Sequence, residues 1–379
     1  MTRPAKDDDR LVDVSGRKFH PAWLRYSCPC ARCRHPESFQ KTSDLSDRPE
    51  LPVADRVELD TEANELRVDW REQPAHRSRY PLDWLLLHGA GQAGEQGAAD
   101  LDHTVHWDAR TLRARGVRWH EAEACGTDGG PWFDDLRSVG FALLTGLTPQ
   151  GLDRLLTGLA PVFHTEYGRQ ADVKAVPGAE DLAETESALP AHTDYPYKVT
   201  GPLTQFCYYA ENRATGGEFF LVDGFKALED FRRDHPGWFD LLVSSPVEFE
   251  QVYTSWRYLY RVRRPVITLD GRGAIEAIHL GHSHAWAWDV APELCGEFYR
   301  AYHGLVRHLG DERYRWAHRF ADGECAVFRN NRILHGRNAF DPRTGVRHLV
   351  TAYVPWQQLE SRIRFHEERR FYFSPHERK

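Results

Sequence analysis

The sequence predicts a mainly β protein with peripheral helices, preceded by a small α+β module. Three observations predict it. Short strand candidates crowd the second half of the chain, as in a β-sandwich or jelly roll. Three cysteines fall within six residues near the start, in RYSCPCARCRHPES. Between these regions lies GAGQAGEQGAAD, residues 89–100, whose Gly/Ala content suits a linker. The expected division is an N-terminal metal-stapled domain at 1–95, a linker at 96–105 and a large domain at 106–379. A length of 379 residues accommodates this.

Composition narrows the class. Hydrophobic residues make up 41% and charged residues 28%, enough for a sizeable core. Lys and Arg number 49 against 56 Asp and Glu, giving a formal charge of −7, which argues against a nucleic-acid coat. The start, MTRPAKDDDR, has no apolar signal core. No apolar stretch reaches the ~20 residues of a membrane helix. The chain therefore reads as cytoplasmic, with no membrane or nucleic-acid partner and with its seven cysteines reduced. Twenty histidines raise the expectation of metal binding, and twelve tryptophans that of a built core or pocket.

In the N-terminal module, Leu11–Val14 reads as a short strand. Thiolates at Cys28, Cys30 and Cys33 are soft ligands suited to tetrahedral zinc, but they supply only three of four positions. His35 is close in sequence, whereas His88 would tie the loop to the module's body. Residues 55–70, DRVELDTEANELRVDW, alternate as two strands about a polar turn, and PLDWLLLHG reads as a brief helix.

In the large domain, PWFDDLRSVG, followed by FALLTGL, opens a stretch of helix candidates. The next, TPQGLDRLLTGLAPVF, starts with a Thr-Pro cap. Strand candidates follow: PLTQFCYYAE, EFFLVDG, PVEFEQVY, RRPVITLD, GAIEAIHL, ECAVFRNNRILHG and RHLVTAYVP. KALEDFRRDHPGWFDLLV and PELCGEFYRAYHGLVRHL read as helices packed outside the sheets. No dinucleotide fingerprint or P-loop follows a strand, which argues against nicotinamide dehydrogenases and P-loop ATPases.

The chemistry concentrates in PAHTDYPYK. His192 and Asp194 are two residues apart, so on an extended strand end they point the same way. His335 in FRNNRILHGRNAF is the expected third ligand. Two imidazoles and one carboxylate form an open face suited to Fe(II), with positions left for cosubstrate and O2. Arg347, twelve residues beyond His335, can clamp the distal carboxylate of 2-oxoglutarate. Thr215, before Gly216–Gly217, could donate a hydroxyl to the same carboxylate.

The segments SCPCARC, LDWLLLHG, AHTDYPYK, ATGGEFFLVDGF, NNRILHGRNAF and RHLVTAYVPW, in this order over most of the chain, resemble the γ-butyrobetaine/trimethyllysine hydroxylase family of Fe(II)/2-oxoglutarate oxygenases. The resemblance implies a small zinc domain joined to a TauD-like double-stranded β-helix (jelly-roll) domain, assembled as a homodimer. It implies zinc at Cys28, Cys30, Cys33 and His88, iron at His192, Asp194 and His335, and 2-oxoglutarate at Arg347. It also implies a zwitterionic substrate with a methylated ammonium group and an acidic end.

A quaternary ammonium donates no hydrogen bond and is held by aromatic faces. Tyr167, Tyr195 and Tyr353 match the family's cage positions. Three departures accompany them: Ala171 stands where γ-butyrobetaine hydroxylases carry a cage tryptophan, Glu184 at a cage tyrosine, and Asp181 at an asparagine that receives the substrate carboxylate. HLGHSHAW, residues 279–286, replaces an asparagine-rich strand end. His282 and His284 could receive a more highly charged end such as a phosphonate. The expected reaction is hydroxylation of an unactivated C–H. Desaturation or rearrangement of a trimethylammonio-alkylphosphonate, and a non-catalytic small-acid-binding jelly roll, are the alternatives.

Overall fold

The computed structural model describes residues 11–42, 50–88, 104–126 and 130–372. The expected linker at 96–105 lies outside them apart from its last two residues. The chain divides into two compact units, Met1–His103 with Glu368–Lys379, and Thr104–Glu367. Described residues 368–372 thus group with the first unit rather than with the large one.

In the first unit, β1 (Val12–Val14) pairs with β2 (Arg17–Phe19). Helix α1 (Pro21–Tyr26) starts where the His20 side chain accepts the Ala22 N–H and Pro21 supplies a helical φ. Strands β3 (Ala54–Asp60), β4 (Glu65–Trp70) and β5 (His76–Pro81) form an antiparallel sheet, and α2 (Leu82–His88) follows. Alternation along β4 and β5 buries Leu66, Val68, Trp70 and Tyr80 against Val14, Phe19 and Leu24.

The second unit opens with α3 (Ala109–Arg115), closed at its N-terminus by a reciprocal Asp108–Thr111 capping box. Next come β6 (Trp119–Glu121), α4 (Pro131–Ser138), β7 (Phe141–Thr145) and α5 (Pro149–Leu159). The FALLT segment, placed by sequence among helix candidates, is strand β7. Four of its five residues are buried, so it carries no alternation to distinguish strand from helix. The chain continues through β8 (Ala171–Val173), β9 (Leu189–His192), β10 (Leu203–Asn212), β11 (Thr215–Gly216) and β12 (Phe219–Asp223). Helices α6 (Gly224–Asp234) and α7 (Pro236–Ser244) follow, the break between them set by Pro236. Then come β13 (Pro246–Tyr253), β14 (Tyr258–Pro265), β15 (Ile267–Leu269), β16 (Ile275–Ile278), β17 (Ala285–Trp288) and α8 (Pro292–Leu309). The last elements are β18 (Arg315–His318), β19 (Cys325–Arg329), β20 (Ile333–Arg337), β21 (Phe340–Asp341), β22 (Arg347–Pro355) and α9 (Trp356–Tyr372).

Two sheets organise this unit. One has the order β6-β7-β19-β10-β22-β8, the other β18-β12-β20-β9. Strand alternation gives each two faces. Tyr209, Phe328 and Leu349 of the first sheet pack with Phe219, Leu221 and Ile333 of the second, so the inner faces meet in one core. Phe206, Tyr208, Ala352 and Val354 face outward, covered by Trp132 and Leu136 of α4, Leu152 and Leu156 of α5, and Leu359 of α9. The outer side of the smaller sheet is covered by α6, α7, α8 and the β13–β16 region. Among the described residues no helix is long and apolar enough to cross a membrane.

Candidate active site and metal centres

In the first unit, Cys28, Cys30 and Cys33 converge on His76, not His88. The three sulfurs lie 3.3, 3.8 and 3.6 Å from His76 Nε2. A tetrahedral zinc with ordinary Zn–S and Zn–N bonds separates such atoms by about 3.6 Å, so the four residues fit the ion and fill its coordination. The loop is shaped by Cys33 and Arg34 N–H groups bonding to the Cys30 carbonyl. Arg25 donates to Cys33 Sγ at 3.2 Å while paired with Glu72, placing a cation against the thiolate set.

The expectation for His88 is therefore corrected. His76 begins β5 and His88 ends α2, so five residue steps of about 3.3 Å carry the chain away from the cysteines before α2 starts. His88 instead stacks on Trp84 at 4.7 Å and faces Glu368 at 3.3 Å. His35 accepts the Glu37 and Ser38 N–H groups within its own turn.

The second centre lies where β9 meets β20. Register places His192 directly opposite His335, and their rings lie 4.3 Å apart. Asp194 Oδ1 is 3.4 Å from His192 Nε2 and 3.8 Å from His335 Nε2. Asn330 fixes the carboxylate's backbone from both sides, accepting the Asp194 N–H at 2.8 Å and donating to its carbonyl at 2.9 Å. The Pro190 carbonyl engages His192 Nδ1 at 2.8 Å, leaving Nε2 free to act as a ligand. The charge interaction with His335, then the hydrogen bond and charge of His192 and the hydrogen bond from Tyr353, overcome burial and hold Asp194 well below the usual carboxylate range. The Tyr353 hydroxyl donates to Asp194 Oδ2 at 2.6 Å, leaving Oδ1 toward the histidines.

These residues open into a cavity of about 470 Å³. Strand period explains its floor: Arg347, Leu349, Thr351 and Tyr353 of β22, and Gln205 and Cys207 of β10, all face inward. Arg347 is 5% exposed, its Nε is buried without a partner, and no described residue forms an ion pair with it. Its guanidinium lies over the rings of Tyr209 and Phe340. A buried uncompensated guanidinium fits an anionic cosubstrate. Gly217 makes room for it, because a Cβ there would lie 3.2 Å from Arg347 Nε.

Thr215 is corrected as a cosubstrate contact. It is exposed, stands opposite Asp341 in β11–β21 and does not line the cavity. Gly217, not the Thr215 hydroxyl, serves the arginine. Tyr167, Asp181, Glu184, Tyr195, His282, His284 and Tyr353 all line the cavity, as does Ala171.

Sequence reasoning missed His76, Gln205, Cys207, Tyr197, Tyr253 and Arg337. Four had a local signal: Tyr197 and Arg337 each stand two residues beyond a named site residue, and Gln205 and Cys207 share one face of PLTQFCYYAE. Tyr195 has a left-handed φ of 59°, which turns the chain sharply after Asp194 and sets its ring 4.9 Å from Tyr353.

An open two-histidine, one-carboxylate face beside a buried guanidinium with no ion-pair partner among the described residues defines the site of a metal-dependent oxygenase. The comparisons agree. Residues 101–353 match the model of the "Taurine catabolism dioxygenase TauD, TfdA family", and residues 10–86 match "Gamma-butyrobetaine hydroxylase-like, N-terminal". Gamma-butyrobetaine dioxygenase of Pseudomonas sp. (strain AK-1) is 30% identical over 352 residues, 91% of this chain and 89% of the relative. The Homo sapiens gamma-butyrobetaine dioxygenase is 26% identical over 364 residues, 93% and 92% of the two chains. Trimethyllysine dioxygenase of Meyerozyma guilliermondii is 24% identical over 364 residues, 91% and 90% of the two chains. The chain belongs to the TauD/TfdA family and is an Fe(II)/2-oxoglutarate-dependent dioxygenase.

Proposed function

We propose that this enzyme hydroxylates a small ammonium-bearing zwitterion, with the oxidised carbon held beside His192, Asp194 and His335. One observation carries the reading: the metal-ligating face, the buried Arg347 and a wall of tyrosines and carboxylates line a single cavity. Iron bound there supplies oxygen activation coupled to decarboxylation of 2-oxoglutarate. The chain's own residues do the rest. Arg347 binds the cosubstrate's distal carboxylate, and the two aromatic rings beside it exclude water from that ion pair. Asn330 and Tyr353 fix the carboxylate ligand, and the tyrosine wall orients the substrate.

In the same reading the two face-to-face sheets are the walls of a double-stranded β-helix, and the Cys3His set is a structural zinc staple of a domain ending near residue 95. The protein is a cytoplasmic homodimer, in keeping with seven free cysteines. Light scattering tests the dimer. A phosphonate end is less well supported than a carboxylate, because burial pushes His284 down and leaves it neutral.

Oxygen-dependent succinate release, screened with γ-butyrobetaine, trimethyllysine and partially methylated analogues, tests the function. His192→Ala and Asp194→Ala should each abolish it. Full iron-dependent turnover in both variants would overturn the assignment.

A further inference from the structure

The cavity departs from an aromatic cage in a way that specifies the cation. Tyr195 already serves an internal ammonium: Lys198 Nζ lies 4.4 Å from its ring centroid and is paired with Glu166 at 2.6 Å. The Tyr353 hydroxyl is committed to Asp194, and Ala171 adds no ring. Part of the Tyr195 ring face is therefore taken by an internal cation, and the Tyr353 hydroxyl is not available to a substrate.

Carboxylates join the tyrosines in the lining. Asp181 and Glu184 line the cavity on the segment that leads into β9. Asp181 uses Oδ1 to cap the Ala183 N–H, and the Glu184 side chain has no hydrogen bond or ion pair among the described residues. Burial and the nearby Asp181 and Glu180 carboxylates push Glu184 upward, as expected for acids crowded together without a cation. Neighbouring acids are accounted for: Asp172 pairs with His348, and Glu180 accepts from Thr254 and Ser255. The lining contains no lysine. Arg337 spends its N–H groups on the carbonyls of Leu182, Ala183, Thr185 and Ser187, which holds this segment in place.

We infer that Asp181 and Glu184 are specificity residues that accept hydrogen bonds from a substrate ammonium retaining at least one N–H, so that the substrate is a primary, secondary or tertiary amine and not a quaternary one. This rests on the function proposed above. A quaternary head offers these carboxylates charge but no donor, whereas a protonated amine satisfies both charge and direction.

The test is binding by the iron- and 2-oxoglutarate-loaded enzyme without oxygen. Calorimetry would compare 4-aminobutyrate and lysine with their N-methyl, N,N-dimethyl and N,N,N-trimethyl forms (at Nε for lysine). The N–H forms should bind at least about tenfold more tightly than the trimethyl form on the same skeleton. That preference should shrink toward unity in Asp181→Asn/Glu184→Gln, whose iron content and melting temperature report an intact fold. Equal or tighter binding of the trimethyl forms by the native enzyme would overturn the inference, as would binding of no member of either series. An N–H preference without succinate release when oxygen is admitted would count against the proposed hydroxylation and leave the amine specificity standing.

Discussion

Replacing Tyr353 by Phe deletes one oxygen atom and keeps the ring that packs 4.9 Å from Tyr195. The atom removed donates at 2.6 Å to Oδ2 of a buried carboxylate whose other oxygen faces two imidazoles. A hydrogen bond to a charged group contributes about 1.5–3 kcal/mol, and loss of such an outer partner typically weakens metal binding about tenfold to a hundredfold. Freed of its donor, Oδ2 competes with Oδ1 for the ion, so the carboxylate's mode of binding also changes. The assay is titration of metal-free protein with Co(II), followed by ligand-field absorption, alongside the iron dependence of 2-oxoglutarate turnover. The expected result is a shifted spectrum and iron affinity lower by about tenfold or more, with little change in the 2-oxoglutarate KM. An unmoved spectrum with unchanged iron affinity would refute the role given to this hydroxyl.

Further consequences can be checked separately. Elemental analysis should find zinc in the native protein and in His88→Ala but little in His76→Ala, whose first unit should also unfold more readily; the opposite pattern would restore His88 as the ligand. Arg347→Leu should raise the 2-oxoglutarate KM by about two orders of magnitude, with Arg347→Lys recovering only part, because a lysine lacks the planar fork. Hydrogen bonds from Lys226, Tyr314 and Arg233 overcome burial to hold Asp230 down to about 2. Its folded value lies below the unfolded one of 3.8, so its contribution is present above the unfolded value and lost as pH falls toward 2. Asp230→Asn should lower the melting temperature at pH 7 and flatten its decline in acid; a parallel decline in both proteins would contradict this.

The iron ligands were legible because their geometry is local. His-x-Asp on a strand end needs only the two-residue period, and the same period carries Arg347 through Tyr353 along one face. His76 was not legible, since nothing in its neighbourhood marks it as a ligand. Its place depends on the β4–β5 register that sets it opposite Trp70, a pairing between segments. Thr215 misled for a related reason: a hydroxyl beside two glycines suggests a donor, but the space Gly217 leaves is what Arg347 occupies. For Tyr353 the cavity was legible but the bond to Asp194 was not, because sequence parity gives the face of a strand but not the partner of a hydroxyl. The uniformly buried FALLT strand had no period to read at all.

The clamp made by Arg337 recognises main-chain oxygens only, and such recognition is indifferent to which side chains the clamped residues carry. Apart from Thr185, whose hydroxyl bonds the Leu182 carbonyl and accepts the Ser187 N–H, residues 182–187 can therefore exchange identities while their path through space is retained. In this enzyme, the segment bearing Glu184 is an interchangeable cassette in a fixed frame. New substrates would be reached by replacing single side chains along it, with no remodelling of the loop and no disturbance of the iron ligands on the strand that follows.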